Sequence, residues 1–198
     1  DGKLIGKVLG YFSHPDERAG KVFIFPHIFA EVMQAYLQEY GIPEEHLAQI
    51  AVQEYANAKY NPWAQMNKVQ ITLEQAMKIE GINRYVVDTL PLKTFDCSQI
   101  TDGYAALVLA TEEGLAKLGV AKADCVRIAG WGQATDPIRK DGRDVLRPAG
   151  ANRAMQAAYS MAGRSPADVN VAEVHDCFTV MAALGTEVIG KAAPGKGA

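Results

Sequence analysis

The stretch Val171–Phe178, which reads VAEVHDCF, decides the fold and points to the function of this chain. Its first four residues are mostly apolar, as at the end of a buried strand, and a helical apolar pattern begins after them. An imidazole, His175, and a thiol, Cys177, therefore stand one residue apart between a strand and a helix. Because α/β folds bind ligands at the carboxyl ends of their strands, this spacing predicts a functional site.

The composition is that of a globular protein. The chain has 198 residues, of which 48% are hydrophobic and 22% charged, which allows one sizeable domain or two small ones. The net charge of −3, with both signs interspersed, excludes the basic surface of a nucleic-acid-binding protein. No apolar run approaches the ~18 residues of a membrane span. Three cysteines cannot pair evenly, which favours a reducing, cytoplasmic compartment.

The first part of the chain, residues 1–94, predicts helices joined by irregular loops. Apolar residues at helical spacing predict a helix over 28–40 that ends at Gly41. A second helix is expected from near Pro43, since proline is favoured in a first turn. A short third helix should follow Thr72, which has a glutamine three residues later, as in a capping box.

The second part alternates between strand and helix patterns. Helices of this length between strands predict an α/β fold, in which helices cover a sheet and ligands bind at the carboxyl ends of its strands. The expected strands are 105–109, 126–133 and 169–174, and the expected helices are 111–118, 152–162 and 179–189.

Two motifs resemble the thiolase superfamily, in its sterol-carrier-protein-type branch. His175–Phe178 looks like the HDCF motif of that branch, and residues 96–109, DCSQITDGYAALVL, look like a second signature. Asn61–Ala64 and Leu90–Leu92 are similar to landmarks of the family's helical loop domain. The resemblance implies an α/β fold with a thiolase-like layered α/β/α core, present only in part, and a mainly helical loop domain.

The resemblance also implies a division of the chain. Residues 1–94 would be the helical loop domain that covers the coenzyme A site, and residues 95–198 the first part of the C-terminal thiolase α/β half. Three family elements have no match: the first half with its nucleophilic cysteine, the Gly-His-Pro motif and a C-terminal glycine-rich segment. The chain also starts at Asp1, without an initiator Met or a signal peptide. We therefore expect a central piece of a thiolase subunit that is inactive alone.

The activity that the resemblance implies is that of an acyl-CoA C-acyltransferase. Such an enzyme cleaves 3-oxoacyl-CoA or condenses acyl-CoA units, as in β-oxidation and lipid metabolism. His175 would donate a hydrogen bond to the thioester oxygen, and Cys177 would be the acid/base at the α-carbon. Ser98 would lie beside the pantetheine arm, Phe178 would pack beneath the site, and Asp176 would orient the loop. The coenzyme A thioester is the substrate, and no permanently bound cofactor is expected.

Two alternatives stay open beside the acyltransferase. One is a thiolase-like retro-aldolase that acts on CoA-linked side chains with a small OB-fold partner. The other is a scaffold subunit that has lost catalysis, an alternative favoured by the missing first half. An intact His-Asp-Cys-Phe favours the thiolase. The family also implies a homodimer formed through the thiolase core.

Other candidate sites are weaker. Zinc binding by His175 and Cys177 is disfavoured, because a structural zinc site needs four ligands and no second pair is present. Cys97 and Cys125 are expected to be small buried hydrophobic residues rather than nucleophiles. The glycines of 130–133, GWGQ, lack the third glycine of a dinucleotide site. Three residues of the first part could face an acyl pocket or lie in the core, namely Phe29, Trp63 and Met66.

Overall fold

The computed structural model describes residues 2–21 and 23–198, and positions 1 and 22 lie outside the described residues. None of the described helices is both long enough and apolar enough to cross a membrane. The helices are α1 (Gly2–Gly10), α2 (Pro15–Arg18), α3 (Ile24–Tyr40), α4 (Glu44–Ala58), α5 (Leu73–Met77), α6 (Glu112–Leu118), α7 (Ala149–Ala162) and α8 (Thr179–Val188). Short 3₁₀ turns occupy Thr94–Asp96, Lys122–Asp124, Lys140–Gly142 and Pro166–Asp168.

The helix ends follow the local signals of the sequence. α3 ends at Gly41 (φ 61°) and α6 at Gly119 (φ 65°), a left-handed conformation that glycine adopts without strain. The predicted capping box of α5 is confirmed. The Gln75 N–H donates to Thr72 Oγ1 at 3.2 Å, and the Thr72 N–H donates to Gln75 Oε1 at 2.9 Å. α3 starts earlier than predicted, so Pro26 lies in its first turn, where its missing N–H breaks no helical bond.

The three predicted strands do not form a sheet. Within the described residues, segments 105–109, 126–133 and 169–174 contain no strand, and no backbone hydrogen bond joins one to another. A strand needs partners for its N–H and C=O groups and a covered apolar face, and the neighbouring segments supply neither. Side chains expected inside the sheet are therefore exposed, and Val126 is 97% exposed. The helical part of the fold prediction is confirmed, whereas the layered α/β/α core is not.

The hydrophobic core lies where α3, α4 and α8 meet. The hydroxyl of Tyr36 on α3 donates a 2.5 Å hydrogen bond to Glu187 on α8, which ties the two helices together. This core crosses the predicted boundary between residues 94 and 95, and the boundary itself stays a prediction. Its buried members include Ala30, Met33, Tyr36, Leu47, Leu92, Val180 and Ala183.

The glycines at 130 and 132 bring an irregular segment against α7. A Cβ atom on Gly132 would lie 1.9 Å from the carbonyl oxygen of Ala154, and one on Gly130 would lie 2.3 Å from that of Ala158. Real Cβ atoms do not approach this closely, so the two glycines are required for packing. Their spacing therefore has a structural explanation that is independent of any nucleotide.

Candidate active site

The HDCF motif lies at the N-terminal end of α8. Phe178 is the N-cap of this helix, with extended backbone (φ −143°, ψ 150°), and its carbonyl oxygen accepts the N–H of Met181 at 2.8 Å. His175 and Cys177 thus directly precede a helix, as the sequence predicted. The segment before them is irregular, so the motif does not follow a strand within the described residues.

The two family-like signatures meet in space. Cys97 and Phe178 form an isolated antiparallel bridge, and the Ser98 N–H donates to the carbonyl oxygen of Cys177 at 3.0 Å. The backbone of the first signature is therefore hydrogen-bonded to the backbone of the second. This contact fixes the backbone of Ser98 next to that of Cys177.

A cavity of about 920 Å³ lies beside the bridge between Cys97 and Phe178. All four predicted site residues line it: His175, Cys177, Ser98 and Phe178. His175 and Ser98 are exposed, Cys177 is half-buried and Phe178 is buried. The opposite wall comes from α1, α2 and the start of α3. None of the described residues that line the cavity is a carboxylate. The structure therefore brings together the residues that the sequence singled out, whereas their chemical roles stay predictions.

The two thiols of the cavity are both poor acids. Burial raises the pKa of Cys97 to about 12, and the neighbouring Asp96 charge and Cys177 add to the shift. Burial also raises the pKa of Cys177, with a further contribution from the Asp176 charge. At neutral pH Cys177 therefore carries its proton, which it can donate. Cys125 is exposed, so the expectation that it is a buried hydrophobic residue was wrong, because the strand that would have buried it does not form.

A buried ion pair lies next to the bridge between Cys97 and Phe178. The Nζ atom of Lys93, whose side chain is 1% exposed, lies 3.4 Å from Asp96 Oδ2 and 3.2 Å from Glu44 Oε2. Asp96 also accepts the Lys93 N–H at 2.8 Å and the Thr179 hydroxyl at 3.0 Å. A buried carboxylate with this many donors is well stabilised, and it fixes the chain on both sides of the bridge. Sequence reasoning missed Lys93, because nothing in its local pattern indicates burial.

A second acid, Glu54 on α4, is half-buried and lies close to the motif. Burial raises its pKa to about 7, and the charges of Asp176 and Asp96 act in the same direction. Its Oε1 atom is buried and has no hydrogen-bond partner among the described residues. The site region therefore contains a carboxyl group that changes charge near neutral pH. No local pattern in the sequence marks Glu54, since it lies more than about a hundred residues before the motif in the chain.

Comparisons with known proteins agree with the two motifs. Residues 132–198 match the family model described as "Thiolase C-terminal domain-like". The acetyl-CoA acetyltransferase of Methanocaldococcus jannaschii is 36% identical over 84% of this chain and 41% of its own length. Sterol carrier protein 2 of Oryctolagus cuniculus is 29% identical over 98% of this chain and 33% of its own length. Over most of its length this chain is therefore similar to thiolase-type proteins.

A solved structure extends the likeness from sequence to fold. This chain matches "Ltp2-ChsH2(DUF35) aldolase" with a TM-score of 0.66 and 26% identity, over 86% of this chain and 43% of that one. The chain spans between 33% and 43% of the length of these three proteins. The resemblance to thiolases predicted from the motifs is thereby confirmed.

Among the described residues three cations line the cavity on the side of α1 and α2, and sequence reasoning missed them. They are Lys7, Arg18 and Lys21. Lys21 Nζ lies 2.8 Å from Glu31 Oε1, and Arg18 donates to the carbonyl oxygen of Ser13 at 3.2 Å. Lys7 has no ion-pair partner among the described residues. With no carboxylate on the described wall, the cavity favours an anionic group.

The three apolar residues of the first part that could face an acyl pocket differ in position. Phe29 lines the cavity, where its ring stacks on Phe178 with 4.6 Å between the ring centres. Trp63 is 91% exposed, and neither it nor Met66 is among the described residues that line the cavity. Only Phe29 is therefore placed to contact a ligand. Within the described residues no group of three or more His, Cys, Asp or Glu side chains is arranged to hold a metal ion.

Proposed function

We propose that this chain supplies the oxyanion donor and the acid/base group of a thiolase-type acyl-CoA C-acyltransferase. The observation that carries the proposal is one cavity that holds His175, Cys177 and Ser98 beside three cationic side chains. An acyl-CoA has an apolar acyl group, a thioester and phosphates. Each of these has a counterpart on the cavity wall, since cations bind phosphate and apolar walls bind acyl groups. The coenzyme A thioester is the substrate, and the proposal includes no resident cofactor.

The proposed chemistry assigns one role to each group. In the cleavage direction a thiolate from the remainder of a complete thiolase attacks the 3-oxo carbon, and the bond between the α- and β-carbons breaks. The electron pair moves into the enolate of acetyl-CoA, whose oxygen accepts a hydrogen bond from His175. Cys177 then gives its proton to the α-carbon, and in condensation it takes that proton back. The raised pKa of Cys177 suits the donating step, because the thiol is protonated at neutral pH.

The test uses a complete thiolase polypeptide that carries this chain. His175→Ala removes the oxyanion donor and should lower turnover by about a hundredfold or more. Cys177→Ala should stop deuterium wash-in at the α-carbon, while mass spectrometry still detects the acylated nucleophile. Cys125→Ala is the matched control, because this thiol is exposed and does not line the cavity. Normal turnover and exchange in both site variants would show that the motif is structural.

A retro-aldolase is the second candidate, and a specific observation favours it. The solved structure that resembles this chain is named as an aldolase, and its title includes a DUF35 component. The proposal is that a small OB-fold partner joins this chain and that a CoA-linked side chain is cleaved. Release of an aldehyde or ketone without an acyl-enzyme would favour this candidate. A scaffold subunit would show neither reaction.

Three further features are proposals that rest on the family. A homodimer through the thiolase core would cover the exposed apolar residues of the predicted strands, of which Leu107, Val108 and Val126 are nearly fully exposed. A cytoplasmic location and a role in β-oxidation stay predictions from the sequence.

A further inference from the structure

The cavity is much larger than an acetyl group requires. Its volume of about 920 Å³ lies near the top of the range of about 300–1,000 Å³ that accommodates drug-sized ligands. An acetyl thioester would contact only a small part of the wall around His175 and Cys177. The pantetheine arm of the coenzyme takes part of the remaining space, and the part lined by aromatic side chains is available to a larger acyl group.

The walls of this space are unusually aromatic. Five rings line it: Tyr11, Phe23, Phe25, Phe29 and Phe178. The rings of Phe29 and Phe178 are already stacked, with centres 4.6 Å apart and planes inclined by 26°. Ring pairs at about 4.5–7 Å gain stability beyond the burial of their area. A planar ring in the ligand could extend this stack, whereas a linear chain would gain only burial.

The rings line the same cavity as His175 and Cys177. Phe178 adjoins Cys177 in the chain, and its backbone pairs with that of Cys97, so its ring is held at a fixed distance from the reactive thiol. Phe29 lies on α3 and packs against the core cluster. A group stacked on Phe29 would therefore be positioned by the core rather than by a mobile loop.

We propose that the acyl group bound in this cavity carries an aromatic ring, and that Phe29 and Phe25 determine this specificity. The inference rests on the proposed function, since it assigns the cavity to the acyl end of a coenzyme A thioester. The ring packs against Phe29 and Phe25, which both line the cavity. The cations Lys7, Arg18 and Lys21 face the phosphates.

The experiment compares three coenzyme A thioesters with free coenzyme A, by calorimetric titration of the 198-residue chain. Phenylacetyl-CoA and octanoyl-CoA have the same number of acyl carbons, and acetyl-CoA lacks the larger group. Phenylacetyl-CoA should bind about tenfold or more tightly than acetyl-CoA, because it buries a ring. It should also bind several-fold more tightly than octanoyl-CoA, because a linear chain gains burial without stacking. Equal or tighter binding of octanoyl-CoA would overturn the inference.

Variants separate stacking from apolar volume. Phe29→Leu keeps an apolar side chain and removes the ring, so the affinity for phenylacetyl-CoA should fall several-fold while that for octanoyl-CoA stays constant. Phe25→Ala provides a second variant if Phe29→Leu does not fold. Phe12→Ala is the control, since this ring is 72% exposed and does not line the cavity. An unchanged preference for the ring in both Phe29→Leu and Phe25→Ala would refute their role.

The same titration separates this inference from the proposed function. Binding of free coenzyme A and acetyl-CoA without any preference for the ring would refute the inference and leave the proposed coenzyme A site intact. Absence of binding by all four compounds would refute both.

Discussion

Replacing Glu54 by glutamine should stabilise the folded protein at neutral and higher pH and change its stability little near pH 4.5. Burial raises the pKa of this carboxyl from 4.5 to about 7. Between these two values the folded state binds more protons than the unfolded state, so stability falls as the pH rises through this window. One pKa unit corresponds to about 1.4 kcal/mol, so the charged Glu54 costs roughly 3 kcal/mol of unfolding free energy above pH 7. Glutamine has the same shape and no charge, and it avoids this cost.

Urea unfolding at a series of pH values from about 4.5 to 8 measures this difference, with helix content followed by circular dichroism. The free energies of the wild type and Glu54→Gln should diverge progressively, with the variant up to about 3 kcal/mol more stable at the upper end. Glu45→Gln is the control, because Glu45 is an exposed carboxylate on the same helix. If the wild type and Glu54→Gln differ by the same amount at every pH, Glu54 is not buried in the folded state, and the reasoning fails.

Four further outcomes are expected. The alkylation rate of Cys177 should still rise above pH 9, because burial raises its pKa, whereas a plateau below that pH, measured by peptide mass spectrometry, would contradict this. Lys93→Met should lower the unfolding free energy by about 3–5 kcal/mol in urea, because Asp96 then stays buried without its cation; a loss under about 1 kcal/mol would contradict a buried pair. Gly132→Ala should lower the thermal midpoint, since its Cβ has no room, and an unchanged midpoint would place this segment away from α7. Light scattering should give at least twice the monomer mass of 21.4 kDa, and a clean monomer at high concentration would count against the homodimer.

The helices could be predicted from the sequence because their signals are local. A left-handed glycine at 41 or 119 and the side-chain cap at Thr72 act within one turn, whatever the rest of the chain does. α1 was missed, since its glycines lower helix propensity, although its apolar residues recur at helical spacing. The strand predictions failed because strand pairing is not local and depends on distant segments that provide backbone partners.

The candidate site was predictable where a motif marks it. His175, Cys177, Ser98 and Phe178 were found through the resemblance, and the structure places them on one cavity wall. Their contact with each other was not predictable, since a backbone bridge between two distant segments has no signature in either. The cations of α1 and α2 and the carboxyl of Glu54 reach the site region only through tertiary packing, which single-sequence patterns do not report.

The buried ion pair of Lys93 and Asp96 joins the two predicted units. Lys93 lies before the predicted boundary and Asp96 after it, yet they form one ion pair that also includes Glu44 of α4. Asp96 in turn accepts a hydrogen bond from Thr179, the first residue of α8. Separating the units would take the Lys93 ammonium away from the Asp96 carboxylate, which would keep only the Thr179 hydroxyl, at a cost of several kcal/mol. The helical part is therefore a structural support of the motif, and the geometry of the HDCF turn depends on it.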